Sequence, residues 1–252
     1  MRKADRLNAI LERLSSGGSV SVAQLSDELG VSAATIRRDL SMLDEQRLLG
    51  RTHGGAVAQG VIYELPLRYR SGRNIDQKRR IARAAADRVA DGTAIGLTGG
   101  TTTTEVARAL VDREGLTIVT NALNIASEVA VRPNLKLVVT GGVARPESYE
   151  LVGPIAESSL AGLNLDLVFL GVDGISLDGG LTTHHEVEAH TDRSLIERTG
   201  RVVVVADSSK IGVTAFAQIC GLEAVQELIT DTEAAADALA GIRSAGVTVT
   251  LV

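Results

Sequence analysis

Leucine, isoleucine and valine recur at helical spacing over the first fifty residues and in β-rich runs after Ile75, and this change of rhythm divides the chain. In KADRLNAILERL (residues 3–14), Leu7, Ile10, Leu11 and Leu14 share one helix face, and Ser15-Ser16-Gly17-Gly18 is expected to stop that helix. SVAQLSDELG predicts a second helix. Ser21 caps it, Val22, Leu25 and Leu29 form its inner stripe, and Gly30 suits a left-handed C′ position. After a tight turn at Val31, Ser32 caps a third helix whose Ile36, Leu40 and Leu43 repeat at i, i+4, i+7; its end is expected near Leu48-Leu49-Gly50. RTHGGAV follows, and a Gly-Gly turn between polar and β-branched residues predicts a small hairpin wing.

From Ile75 onward, strand-like runs alternate with helical patterns. Ala94–Leu97, Thr117–Thr120, Leu135–Thr140, Leu167–Gly171, Val202–Ala206, Leu228–Thr230 and Val247–Val252 predict strands. Ile75–Val89, Thr103–Val111, Leu123–Val131, Ile155–Leu160, Glu186–Arg198 and Glu233–Ser244 predict the helices between them. The alternation implies an α/β body with a mostly parallel sheet covered on both faces, and places ligands at the carboxyl ends of its strands. Between the two rhythms, Ala56–Asn74 has weak periodicity, two glycines and one proline, and reads as a connector. The expected division is 1–57, 58–74 and 75–252. Glu64 and Arg68 in ELPLRYR are candidates to dock the connector; a solvated hinge is the other reading.

Composition adds little to the fold and more to the function. The 252 residues are 44% hydrophobic but only 2% aromatic, so a sizeable core of Val, Leu, Ile and Ala is expected. The single Cys220 cannot form an internal disulfide and reads as a small buried side chain. The first residues lack the apolar stretch of a secretory leader, and no run approaches the ~18 apolar residues of a membrane span. A cytoplasmic protein without membrane contact is expected. The net charge of −5 is unevenly spread: residues 1–80 hold 14 Lys/Arg against 9 Asp/Glu, whereas residues 81–252 hold 12 against 22. A basic head on an acidic body points the head toward a polyanion.

On the third helix, Ala33, Ala34, Arg37, Arg38 and Ser41 lie outside the apolar stripe. Small residues in the first turn allow close approach to a major groove, where arginine reads guanine or pairs with phosphate. Arg51 and His53, at the wing, are placed for the DNA backbone or minor groove. Surface ion pairs with Asp39 or Asp44 are the other reading of Arg37 and Arg38; their place after a Gly-turn-Ser cap favours nucleic acid. The stretch VSVAQLSDELGVSAATIRRDLSMLDEQRLLGRTHGGAV resembles the winged helix-turn-helix of the DeoR family of bacterial transcriptional regulators, most diagnostically in TIRRDL followed by RTHGG. The resemblance implies that Ser21–Leu40 is the helix-turn-helix and that Ser32, Thr35, Arg37 and Arg38 face DNA.

In the body, AIGLTGGTTTTEVARAL reads as strand, glycine turn and helix, so Gly99, Gly100, Thr101, Thr102 and Thr103 form an uncharged phosphate cradle or a plain turn. Neither a Walker loop nor a G-x-G-x-x-G is present, so no nucleotide cofactor is implied. VTNAL, TGG, GVDGI and ADSSKIG repeat small and polar residues at other strand ends. They supply Asp173 and Lys210, one of only four lysines. These motifs, in this order, resemble the DeoR-type sensor, which implies a Rossmann-like α/β sensor domain similar to sugar-phosphate isomerases and a phosphorylated sugar as effector. By that resemblance Gly99–Thr103 meets the phosphate, with Asn121, Gly141, Asp173 and Lys210 around the pocket. Many members carry Asp-Ser-Gly-Thr-Thr where this chain has Thr98-Gly99-Gly100-Thr101-Thr102. LTTHHEVEAHTDR holds His184, His185 and His190, but its spacing fits no structural zinc site and sulfur ligands are missing, so no metal is expected. The family's Glu-Ala pattern matches Glu188 and Ala189, which gives Glu188 a pocket or interface role. The resulting expectation is a repressor of a carbohydrate-catabolic operon, bound to double-stranded operator DNA as a homodimer or homotetramer and without catalytic residues. An isomerase- or deaminase-like enzyme with a DNA-binding head, using Asp173 and Glu188, is the alternative; a redox or nucleotide sensor is disfavoured by the missing fingerprint.

Overall fold

The structure, a computed structural model, describes residues 3–46, 48–58 and 65–252, with Ser15 and Ser16 described by backbone alone. Glu64 therefore lies outside the described residues. The chain divides into two compact units, one up to Arg73 and one of Asn74–Val252. Among the described residues no helix is long and apolar enough to cross a membrane.

In the head, α1 (Lys3–Gly17) ends within the expected stop of Ser15-Ser16-Gly17-Gly18, where Gly18 turns left-handed at φ +69°. A serine costs an interior turn little, whereas a glycine at positive φ terminates it. After β1 (Ser19–Ser21), α2 (Val22–Leu29) is capped by Ser21 Oγ, which accepts from Gln24 N–H, and closed by left-handed Gly30. Then α3 (Ala33–Glu45) is capped by Ser32 Oγ, which accepts from Thr35 N–H at 3.2 Å. Leu7, Ile10, Leu11, Leu14, Leu25, Ile36, Leu40, Leu43 and Leu49 form one buried core. Each such side chain contributes ~1.5–3 kcal/mol through burial. The wing strands β2 (Gly50–Arg51) and β3 (Gly55–Val57) form a three-stranded sheet with β1, in the order β1-β3-β2. Of the two wing glycines only Gly54 lies in the turn. Gly55 is a strand residue, where a Cβ would stand 1.9 Å from the Val20 carbonyl oxygen. The second half of the expected connector holds a one-turn helix, α4 (Leu67–Arg70), whose Tyr69 joins the head core. Tyr69 and Arg68 both donate to Gln46 Oε1, at 2.5 and 3.0 Å.

The body contains α5 (Ile75–Ala86), β4 (Ala94–Leu97), α6 (Thr101–Ala109), β5 (Thr117–Thr120), α7 (Leu123–Val129) and β6 (Lys136–Val139). A short hairpin of β7 (Val143–Ala144) and β8 (Leu151–Val152) leads to α8 (Pro154–Leu160) and β9 (Leu167–Leu170). There follow β10 (Gly174–Ser176), β11 (Gly180–Thr183), α9 (Glu186–Ile196), β12 (Val202–Val205), β13 (Ala217–Cys220), β14 (Glu227–Thr230), α10 (Ala236–Ser244) and β15 (Thr248–Leu251). Seven strands form a wholly parallel sheet in the order β15-β14-β12-β9-β4-β5-β6. Strand alternation feeds both faces. Ile95, Leu97, Leu167, Phe169 and Val203 pack with α5, α6 and α7, whereas Val168, Leu170, Val202 and Val204 pack with α8, α9 and α10. β10, β11 and β13 make a separate antiparallel sheet beyond the carboxyl end of β9.

Candidate DNA interface and ligand site

The apolar stripe of α3 leaves Ser32, Ala34, Arg37 and Arg38 exposed and Ala33, Thr35 and Ser41 half-buried; Arg51 and His53 are exposed on the wing. Ser41 Oγ donates to the Arg37 carbonyl at 2.8 Å and accepts from Arg51 Nη1 at 3.0 Å, which fastens the wing to α3. Asp39 points the other way. It is only 2% exposed and takes Arg6, 9% exposed, through Nε at 2.5 Å and Nη2 at 3.2 Å. The Asp39 hydrogen bond drives the Arg6 guanidinium above its ordinary value, against burial. Asp39 is thus spent inside the head. Among the described residues no carboxylate pairs with Arg37 or Arg38, so the surface ion-pair reading of those two residues is not what the fold provides.

In the body, β4 is followed by Thr98 and Gly99, and α6 begins after Gly100, at φ +133°. The Gly171 N–H donates to Thr98 Oγ1 at 3.0 Å and fastens the end of β9 to this turn. Thr103 and Thr104 donate to the Gly100 carbonyl at 3.1 and 2.6 Å and close the first helical turn. Thr102 is buried and Thr101 half-buried. Beside them Asn121 follows β5; it is 3% exposed, and neither Oδ1 nor Nδ2 has a hydrogen-bond partner. Such a group is costly unless something pairs with it. Gly141 lies one strand further out, where a Cβ would meet Ile155 of α8 at 2.7 Å.

Beyond β9, a polar cluster collects Asp173, Glu188 and Lys210. Lys210 Nζ donates to Asp173 Oδ1 at 3.2 Å, and Thr183 Oγ1 is 3.1 Å from Asp173 Oδ2 and 3.2 Å from Glu188 Oε2. Arg145 pairs with Glu188, and His184 Nε2 lies 3.9 Å from Asp173 Oδ1. The loop bearing Lys210 is set by buried Asp207, which accepts from Ser209 N–H and Asn74 at 3.1 Å and lies 3.7 Å from Lys78 Nζ. Burial alone would raise the Asp207 carboxyl, but the Ser209 hydroxyl, Lys78 and Asn74 overcome it and hold it below its ordinary value. Sequence reasoning missed Arg145, Glu150 and Thr183. Arg145 and Glu150 sit in a Gly- and Pro-flanked loop that follows a strand end, which was the available signal.

The three histidines of LTTHHEVEAHTDR do not converge: His184 faces Asp173, His185 Nδ1 caps α9 by accepting from Val187 N–H at 3.2 Å, and His190 is exposed. Among the described residues no group of three or more His, Cys, Asp or Glu is placed to hold a metal ion. Burial, then the Glu188 and Asp173 carboxylates, pushes Asp192 well above the ordinary carboxylate range. Folding therefore takes up a proton here. The stability this group contributes is full below its unfolded value and is lost as pH rises toward the raised one. Asp192→Asn is expected to melt higher than the parent, by a margin that grows as pH rises above the ordinary carboxylate range, read in thermal melts. Each kcal/mol would read as ~2–4 °C in a unit of this size.

A capped helix with two unneutralised arginines, beside a wing, on a chain that also carries a glycine-turn site at the carboxyl edge of a parallel sheet, defines a DNA-binding regulator with a sensor domain. The family description "DeoR-like helix-turn-helix domain" matches residues 6–60, and "DeoR C terminal sensor domain" matches residues 73–232. The HTH-type transcriptional regulator GlpR of Haloferax volcanii is 41% identical over 251 residues, covering 99% of this chain and 98% of that protein. The glycerol-3-phosphate regulon repressor of Escherichia coli (strain K12) is 34% identical over 231 residues, covering 92% of each. Among solved structures, ribose 5-phosphate isomerase from Plasmodium falciparum aligns at 16% identity with a TM-score of 0.40, over 54% of this chain and 52% of that chain. The chain belongs to the DeoR family of transcriptional regulators. Full-length relatives are named regulators and repressors, and the chain is a regulator rather than an enzyme.

Proposed function

We propose that this chain is a cytoplasmic repressor of a carbohydrate-catabolic operon, with residues 1–57 as the operator reader, 58–74 as the connector and 75–252 as the sensor. It holds repeated half-sites as a homodimer or homotetramer. A phosphorylated sugar bound at the carboxyl edge of the sheet favours the assembly that does not grip DNA. The observation that carries this reading is buried Asn121, with both polar ends unpartnered beside the Gly99–Thr103 turn. The turn offers backbone N–H groups and a helix terminus to a phosphate. The repressor named among the relatives supports the sign of regulation.

The test is gel retardation of a duplex selected from random sequence by the protein, titrated with a panel of phosphorylated sugars. Release by at least one member supports the proposal; a complex indifferent to all of them overturns it. In the same assay Lys210→Ala is expected to weaken the releasing sugar ~10-fold or more, the worth of a hydrogen bond to a charged group. DNA affinity without the sugar should be unchanged. An unaltered titration would remove Lys210 from the site.

A further inference from the structure

β6 (KLVV) closes one end of the seven-stranded sheet, and among the described residues no strand pairs with its outer side. The Lys136 N–H donates to the Leu116 carbonyl at 2.8 Å and the Thr140 N–H to the Thr120 carbonyl at 3.1 Å, so alternate residues of the strand serve β5. The N–H and C=O groups of Leu137 and Val139 therefore point outward, away from the sheet. Natural edges are blunted by charge, proline or a bulge. Here Lys136 stands at the start of the strand and apolar side chains follow. Val139 is 39% exposed. Gly141 lies so close to α8 that a Cβ there would meet Ile155, itself 62% exposed, at 2.7 Å, and Val143, 69% exposed, comes two residues later. Exposed apolar side chains gathered beside an open edge mark an interaction surface.

The charge pattern selects a second copy of the chain as its occupant. The body is acidic, with 22 Asp/Glu against 12 Lys/Arg in residues 81–252, yet residues 129–146 contain no Asp or Glu. Two bodies that repel each other elsewhere can meet at this edge without carboxylates facing carboxylates. An antiparallel pairing centred on Val138 sets Leu137 opposite Val139 of the second copy, with both backbone bonds exchanged, and Lys136 opposite Thr140. The two Lys136 residues then stand ~13 Å apart along the strands. That exceeds the ~10 Å over which exposed charges act at moderate salt. So short a strand falls below the ~800 Å² per partner of a stable interface. Val143 and Ile155 extend the apolar surface beside it.

We propose that β6 is the dimer interface: its outer edge pairs antiparallel with β6 of a second copy about a two-fold axis, flanked by Val143 and Ile155, and continues one seven-stranded sheet into the other. The inference rests on the reading of the chain as a homo-oligomer and names the surface that makes it one. A two-fold axis is also what paired operator half-sites require.

Sedimentation equilibrium of the full chain without DNA tests it. Val139→Pro removes an outward N–H, a change that an unpaired edge tolerates and a paired strand does not. Ile155→Lys places a charge in the apolar flank. Each is expected to weaken self-association ~10-fold or more while circular dichroism shows a folded chain. Phe216→Lys, at a 75% exposed side chain just before β13, is expected to leave association unchanged. In the oligomeric parent the Leu137 and Val139 amides are expected to resist hydrogen exchange and to lose that protection on dilution. An oligomer in which either folded variant associates like the parent overturns the proposal. So does one whose Leu137 and Val139 amides exchange as freely as an exposed loop, a readout that needs no variant to fold. Dissociation by Phe216→Lys alone moves the interface to another face and overturns it as well. A parent that stays monomeric at every concentration removes the homo-oligomer reading itself and leaves the edge to a strand of another protein, a result distinct from an oligomer built on a different surface.

Discussion

The double variant Arg37→Ala/Arg38→Ala is expected to lose operator binding while keeping its fold and its response to the effector. Both guanidinium groups are exposed on α3, and among the described residues no carboxylate neutralises them. A bidentate arginine–guanine contact is worth ~1–3 kcal/mol, so removal of two weakens binding by ~100-fold or more. Gel retardation of the selected duplex reads the loss, and circular dichroism confirms that the head stays folded. The slope of log affinity against log salt separates two roles. An arginine on phosphate reduces that slope by ~1, and one on a base edge relaxes sequence preference instead. Retention of parental affinity would sink the assignment of α3 as the reading helix.

The second large effect concerns the inner face of the same helix. Asp39→Ala leaves the buried Arg6 guanidinium without its partner, 33 residues away in sequence. Breaking a buried pair from one side costs ~3–5 kcal/mol, a large share of what a unit of some seventy residues can spare. Urea unfolding is expected to show an early transition of the head, with DNA binding lost and the body's transition in place. The variant that replaces both partners, Arg6→Met with Asp39→Leu, should recover most of that loss, because two apolar groups of similar volume need no pairing. If Asp39→Ala unfolded at the parental urea concentration, the pair would not be what holds α3 against α1.

The apolar strands of the parallel sheet and the capped helices of the head were legible without the fold. Ala94–Leu97 and Thr117–Thr120 are strands with the expected limits, and Ser21, Gly30 and Ser32 cap as their chemistry demands. The two- to four-residue strands β7, β8, β10, β11 and β13 were not legible. Those stretches, such as GLTT and AQIC, do not stand out as apolar β-branched runs, and they are extended because a partner completes their hydrogen bonds. The same limit hid Arg145, Glu150 and Thr183, which sit in or beside those short strands.

The order of residues alone determined which side chains are apolar at 3.6- or 2-residue spacing, where caps and left-handed glycines stand, and that the basic charge lies in the first eighty residues. These are local properties, carried by neighbours within a turn or two. Only the tertiary structure decided that Asp39 turns inward to Arg6 and leaves Arg37 and Arg38 uncovered, and that Glu150 lies on Gly99 beside an unpartnered Asn121. Which carboxylate meets which cation, and which polar group stays unpaired, depends on contacts between residues far apart along the chain, and no periodicity encodes those.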